Sequence, residues 1–202
     1  MIVLKKSIEN ISKYQQGNLP SNAEKLKTPA TPDDMMKRSA PIMAVLCFAI
    51  ALSVIAKNII SCSMTVFLPT VLAGCLIGVG LCIVHEWLHG IVYPREAKVT
   101  IGKLKGQIVF VALASYPLKR IRFVIMCLLP FILGIIPWLL FIVSPADNTV
   151  FNGFMFGMAC VGMVSPSPDV LNVILVMKQV RKGEKVMFYG EDMYKIPQKE
   201  NG

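Results

Sequence analysis

The sequence predicts an all-α integral membrane protein, with four transmembrane helices and a short cytoplasmic β-hairpin between the second and third. Three observations lead there. The 202 residues are 54% apolar with a mean hydropathy of +0.60, above the usual range for soluble domains. The apolar residues gather into four blocks, about 42–62, 67–93, 121–143 and 150–178, each close to the ~20 residues that a helix needs to cross a ~30 Å hydrocarbon core. Finally, 20 of the 21 Lys and Arg residues fall in 1–40, 91–122 and 178–202. Positive loops stay in the cytoplasm, so both termini and the 94–120 loop are expected there, with two short loops outside. The even number of helices agrees. The net charge of +9 is then a matter of topology. No aromatic-rich basic motif accompanies it, so no nucleic-acid partner is expected.

Residues 1–40 read as a cytoplasmic segment. Leu4, Ile8 and Ile11 share one helical face of 1–16 among Lys5, Lys6 and Lys13, the pattern of an amphipathic helix lying on the bilayer or docked beneath it. The Pro, Asn and Ser of 17–34 mark a linker. No apolar run follows Lys5 and Lys6 before Pro41, so no secretory signal is expected. Ser39 is a candidate cap for the first membrane helix. Lys57 interrupts that helix and either snorkels to the interface or marks its end. The membrane domain is expected over 41–178. Within it, the hairpin at 98–112 has strands near 98–101 and 107–112 around the glycine-bounded GKLKG. Residues 179–202 read as a cytoplasmic tail, apolar in part from Lys185 to Pro197. Six cysteines are scattered through the apolar blocks without paired spacing and read as small hydrophobes, not as a disulfide framework.

The second block ends in HEWLHG, residues 85–90, which holds both histidines of the chain. Ionisable groups inside lipid-grade sequence are costly and point to function. His85 and His89 are one helical turn apart on one face, a spacing that lets both imidazoles bind one Zn²⁺, with Glu86 beside it as general base. Catalytic zinc takes a third protein ligand and keeps one position open. No third histidine exists, and the acids inside apolar blocks are Glu86 and Asp169. Lys178 follows Asp169 by nine residues, and Arg95 follows the two histidines by ten and six. At ~1.5 Å per residue the three groups therefore lie at similar depth. Asp169 is the expected third ligand.

Pro166 and Pro168 break the helical ladder next to Asp169, and freed backbone at membrane depth belongs at a buried or wet cavity wall. Asn172 lies three residues on and could donate to a developing oxyanion; packing between helices is the alternative. The plainer readings are a satisfied histidine pair in a helical bundle, and an Asp169 paired with a basic residue such as Arg122. Trp87 reads as an interface or packing residue.

Taken together, HEWLHG closing the second helix, a hairpin loop, IMCLLP in the third helix and an Asp in a helix-breaking stretch of the fourth resemble a zincin-peptidase family. Its members are small bacterial integral membrane proteins catalogued as a domain of unknown function and related in plan to site-2 proteases. The resemblance spans about 41–195. It implies that His85, His89 and Asp169 bind zinc and that Glu86 is the base. Where the family carries glycines just before its Asp, this chain has Ser165-Pro166-Ser167-Pro168, and it lacks the NPDG of many site-2 proteases. The expected activity is that of a zinc metalloendopeptidase in the bacterial plasma membrane, its site toward the cytoplasm and its substrates membrane proteins or peptides. The competing reading is a zinc-binding membrane scaffold or regulator without peptidase activity. A transporter is a weaker third, since four helices show no inverted repeat.

Overall fold

Four helical stretches are long and apolar enough to cross a membrane: Pro32–Ser61, Leu68–Val92, Arg120–Val143 and Thr149–Gln179. They were traced in a computed structural model that describes residues 1–106 and 110–198. The first stretch is a single helix, α1 (Pro32–Ser61). The second is α2 (Leu68–Gly80) and α3 (Cys82–Val92), the third α4 (Arg120–Leu128) and α5 (Ile132–Val143), and the fourth α6 (Thr149–Val164) and α7 (Ser167–Gln179). Proline explains two of the interruptions. Pro130 lies in the 3₁₀ turn Leu129–Phe131 between α4 and α5, and Pro166 between α6 and α7, each removing a ladder N–H.

The helix α1 starts ten residues before the predicted block. Thr31 Oγ1 accepts from Asp34 N–H at 3.1 Å, Pro32 opens the helix, and Asp33 and Asp34 fill its first turn. This is a cap, an N1 proline and acids against the dipole. Ser39 is therefore no cap: it lies inside the helix and donates to Met36 O at 3.0 Å.

The expectation of an all-α chain is corrected. The strands are β1 (Ile2–Ile8), β2 (Glu24–Lys25), β3 (Val99–Leu104), β4 (Phe110–Leu113), β5 (Leu118–Lys119), β6 (Lys185–Tyr189) and β7 (Asp192–Ile196). They form two sheets, ordered β1-β3-β4 and β2-β7-β6-β5. The predicted hairpin is β3–β4, antiparallel, with Ile101 opposite Ala112; residues 107–109, where its second strand was expected to start, lie outside the described residues. The predicted amphipathic helix at 1–16 is a strand and a 3₁₀ turn, Ile11–Tyr14. Ile8 is fully buried while Leu4 is 72% exposed, so the apolar stripe is not shared. Ile2, Val3 and Ile8 instead suit a pleated surface, and β1 pairs in parallel with the outer edge of β3. The C-terminal tail folds likewise into the β6–β7 hairpin, turned at Gly190 with φ +62°.

Two compact units result. One comprises 1–35, 86–129 and 169–202. Its core joins Phe123, Met126 and Cys127 of α4 and Val176 of α7 with Leu118, Val186 and Met193 of the four-stranded sheet. Tyr93, just past α3, packs on this core and also against Val99 and Ile101 of the other sheet. Burial pushes its phenol pKa up, with Cys127 adding to the shift. A Cβ on Gly90 would stand 3.3–3.5 Å from Ile2, Ile101 and Val99, so a small residue lets the end of α3 lie close against β1 and β3.

The other unit comprises 36–85 and 130–168. Its helices pack through small residues: a Cβ on Gly134 would strike the Gly162–Met163 backbone, and one on Gly74 the carbonyl of Phe154. This is the close approach that small residues permit between membrane helices. Lys57 does not end α1, which runs on to Ser61. Its ammonium donates to the carbonyls of Phe141 and Ser144, to Ser144 Oγ and to Asn152 Oδ1, and lies 4.6 Å from the Phe141 ring centroid. These acceptors include the end of α5, where helix carbonyls run out of intrahelical donors. Replacing Lys57 with Met, which keeps the stem and removes the donors, should cost about 1–3 kcal/mol, seen as a lower thermal midpoint of the detergent-purified protein; an unchanged midpoint would remove the ammonium from this account.

Candidate metal centre

Helix α3 places His85 and His89 one turn apart, and both are buried, at 7% and 8% exposure. Trp87, between them in sequence, projects from the other side and is 47% exposed, as a packing or interface residue would. The helical ladder enters α3 unbroken, His85 N–H donating to Leu81 O at 2.9 Å.

The two ring nitrogens of His89 face different partners. Nδ1 is 2.8 Å from Met126 O. A carbonyl only accepts, so Nδ1 carries the proton and donates, which leaves Nε2 as the nitrogen that can bind a metal when the ring is neutral. The Met126 carbonyl is free to accept because its ordinary helical partner would be the N–H of residue 130, and residue 130 is proline. IMCLLP therefore has a specific role: the proline frees a carbonyl four residues back, and the histidine uses it. A ligating histidine almost always has its second nitrogen held in this way, which fixes tautomer and ring orientation.

Asp169 stands in the first turn of α7, just past the Ser165–Pro166 break. Pro168 sits in that same turn, where a missing N–H does no harm. Asp169 Oδ2 is 3.5 Å from His89 Nε2. That is longer than the ~2.7–2.9 Å of a charge-assisted N–H···O bond. It matches the about 3.4 Å that separates two ligands of a tetrahedral zinc with bonds of ~2.0–2.2 Å. His85, His89 and Asp169 each offer a ligand atom within 4.8 Å of the others. Two neutral imidazoles and a carboxylate form a donor set that zinc accepts readily, so these residues can hold a metal ion.

The other candidates are also located. Arg122 is not the partner of Asp169: its Nε donates to Val92 O at 2.6 Å, closing the C-terminal end of α3. Glu86 follows His85 on α3 and is half-buried. Asn172 lies one turn beyond Asp169, and its Oδ1 is buried with no hydrogen-bond partner. Sequence reasoning missed Met126, whose contribution is a backbone atom that no side-chain motif reports. Its signal was Pro130, four residues on.

A family model described as "Putative zincin peptidase" matches residues 78–184. The chain belongs to this zincin-peptidase family. The match begins in α2 and ends just before β6, so it contains His85, Glu86, His89, Asp169 and Asn172 and is narrower than the 41–195 anticipated from motifs. No curated protein and no solved structure matches the chain. In this chain, β1 and the β6–β7 hairpin lie outside the family segment, although both belong to the unit that holds His89 and Asp169.

Elemental analysis of the purified protein should find about one zinc per chain. His89→Ala and Asp169→Ala should each lower zinc retention at least ~10-fold. Full retention in Asp169→Ala would remove that residue from the ligand set.

Proposed function

We propose that the protein is a zinc-dependent intramembrane metallopeptidase, similar in plan to site-2 proteases, that hydrolyses peptide bonds of membrane-associated substrates. The observation that carries this reading is the convergence of His85, His89 and Asp169 in helical stretches apolar enough to cross a membrane. Such groups are too costly there to be incidental. Zinc, when bound, supplies a Lewis acid for the scissile carbonyl and makes water at its open position easier to deprotonate. Glu86 is the base: its carboxylate takes a proton from the attacking water and delivers it to the departing amine nitrogen as the C–N bond breaks. Asn172 is assigned to the substrate. Its side-chain amide, with an oxygen that lacks a partner among the described residues, can hold the peptide backbone and donate to the developing oxyanion.

The basic residues of 1–40, 91–122 and 178–202 support cytoplasmic termini and a site on the cytoplasmic side of a bacterial plasma membrane, with the membrane domain over 41–178. A substrate must be unwound before its backbone can be reached, and an added strand is one way to hold it extended. Because β1 takes the outer edge of β3, β4 is the hairpin edge assigned to this task.

Two experiments test the reading with the protein in vesicles and single-span test substrates. Glu86→Gln should keep its zinc and lose about 10²–10⁴-fold in cleavage rate. A Glu86→Gln protein that retains its cellular role would identify a non-proteolytic zinc scaffold instead. In β4, successive N–H groups point to opposite sides, so of Val111→Pro and Ala112→Pro one removes an outward donor. That variant should cut cleavage by about tenfold at unchanged zinc content, and unchanged cleavage in both would sink the strand-addition step.

A further inference from the structure

Where the third apolar stretch begins at Arg120 and the fourth ends at Gln179, a groove of about 610 Å³ opens. Lys119, Arg120 and Lys182 line it together with Ile121, Val124 and Met177. Cationic and apolar side chains thus share one groove at the level where two helices leave the apolar zone. Ile121 is 67% and Met177 50% exposed.

The cations are arranged for an anion that the described residues do not supply. Arg120 Nη1 donates to Val180 O at 3.0 Å, which steadies the guanidinium beside the end of α7. Its Nε and Nη2 both face Met177 Sδ, at 3.3 and 3.1 Å. A thioether is a weak acceptor. The fork that would grip a phosphate bidentately is therefore held in place with no strong acceptor on it. The side chains of Lys119 and Lys182 make no hydrogen bond or ion pair among the described residues. Glu184 is the acid in the lining, and its carboxylate accepts from Arg181 N–H at 2.5 Å. An adjoining groove of about 420 Å³ shares Lys119 and adds Lys185, giving room beyond the phosphate for a headgroup.

We propose that this groove binds an anionic phospholipid, with its phosphate against Arg120, Lys119 and Lys182 and its acyl chains along Ile121, Val124 and Met177. Basic pockets between membrane helices at the surface recognise anionic headgroups through the same chemistry. A free phosphate would engage the cations and leave the apolar wall idle, whereas a lipid uses both. The inference is independent of the peptidase reading.

The test is native mass spectrometry of the full-length protein in detergent, titrated with dioleoylphosphatidylglycerol, dioleoylphosphatidylcholine or glycerol 3-phosphate. The expected result is at least ~10-fold tighter binding of phosphatidylglycerol than of phosphatidylcholine. That preference should be lost in Lys119→Gln/Lys182→Gln, which removes no side-chain hydrogen bond or ion pair among the described residues. It should be kept in Lys5→Gln/Lys103→Gln, which removes the same charge elsewhere. Equal binding of the two lipids, a preference that survives in Lys119→Gln/Lys182→Gln or vanishes in both variants, or glycerol 3-phosphate binding as tightly as the lipid would each overturn the proposal.

Discussion

The hydrogen bond from His89 Nδ1 to the carbonyl of Met126, 2.8 Å long, solves two problems at once. A histidine at the end of an apolar helix needs a polar partner for the nitrogen that does not face the metal centre. A helix interrupted by Pro130 has a carbonyl without its usual donor, and an unpaired carbonyl in an apolar setting is costly. Each defect satisfies the other. The pairing orients the imidazole so that Nε2 faces Asp169 at 3.5 Å, and it ties α3 to α4, which is anchored in turn by Phe123, Met126 and Cys127 in the core of its unit.

The same logic recurs away from the metal centre. Helices that suit a membrane cannot leave backbone groups to water within it, so every interruption needs a donor or acceptor from the protein. The carbonyls of Phe141 and Ser144 at the end of α5 are taken by the Lys57 ammonium. The end of α3 is closed by Arg122 on Val92 O. The break at Ser165–Pro166 restarts a helix whose first turn presents Asp169. In each case a charged or ionisable side chain sits where the ladder ends, which is where such a group costs least and does most.

The two sheets explain how a short apolar helix can hold its histidines in fixed positions. Gly90 brings the end of α3 against Ile2, Val99 and Ile101, while α4 and α7 share a core with the four-stranded sheet through Phe123, Val176, Val186 and Met193. The segments that carry His89, Met126 and Asp169 are thus braced by strands. Those strands come from both ends of the chain, β1 from residues 2–8 and β7 from 192–196.

The sequence by itself determined the four apolar stretches, the pairing of His85 with His89, and Asp169 as the acid to join them. Helical period and hydrophobic block length are local properties, and the rarity of ionisable residues in such blocks left few candidates. The β3–β4 hairpin was legible for the same reason, since β-branched runs around GKLKG are a local signal. Only the tertiary structure decided that residues 2–8 are a strand. Their helical stripe was as good as their alternation, and the choice fell to the free edge of β3, almost a hundred residues away. It also decided that the tail is a hairpin and that Lys57 is bound inside its helix cluster. Above all, it showed that Pro130 serves His89, because the group it frees is a backbone carbonyl, whose partner depends on which helix lies beside it.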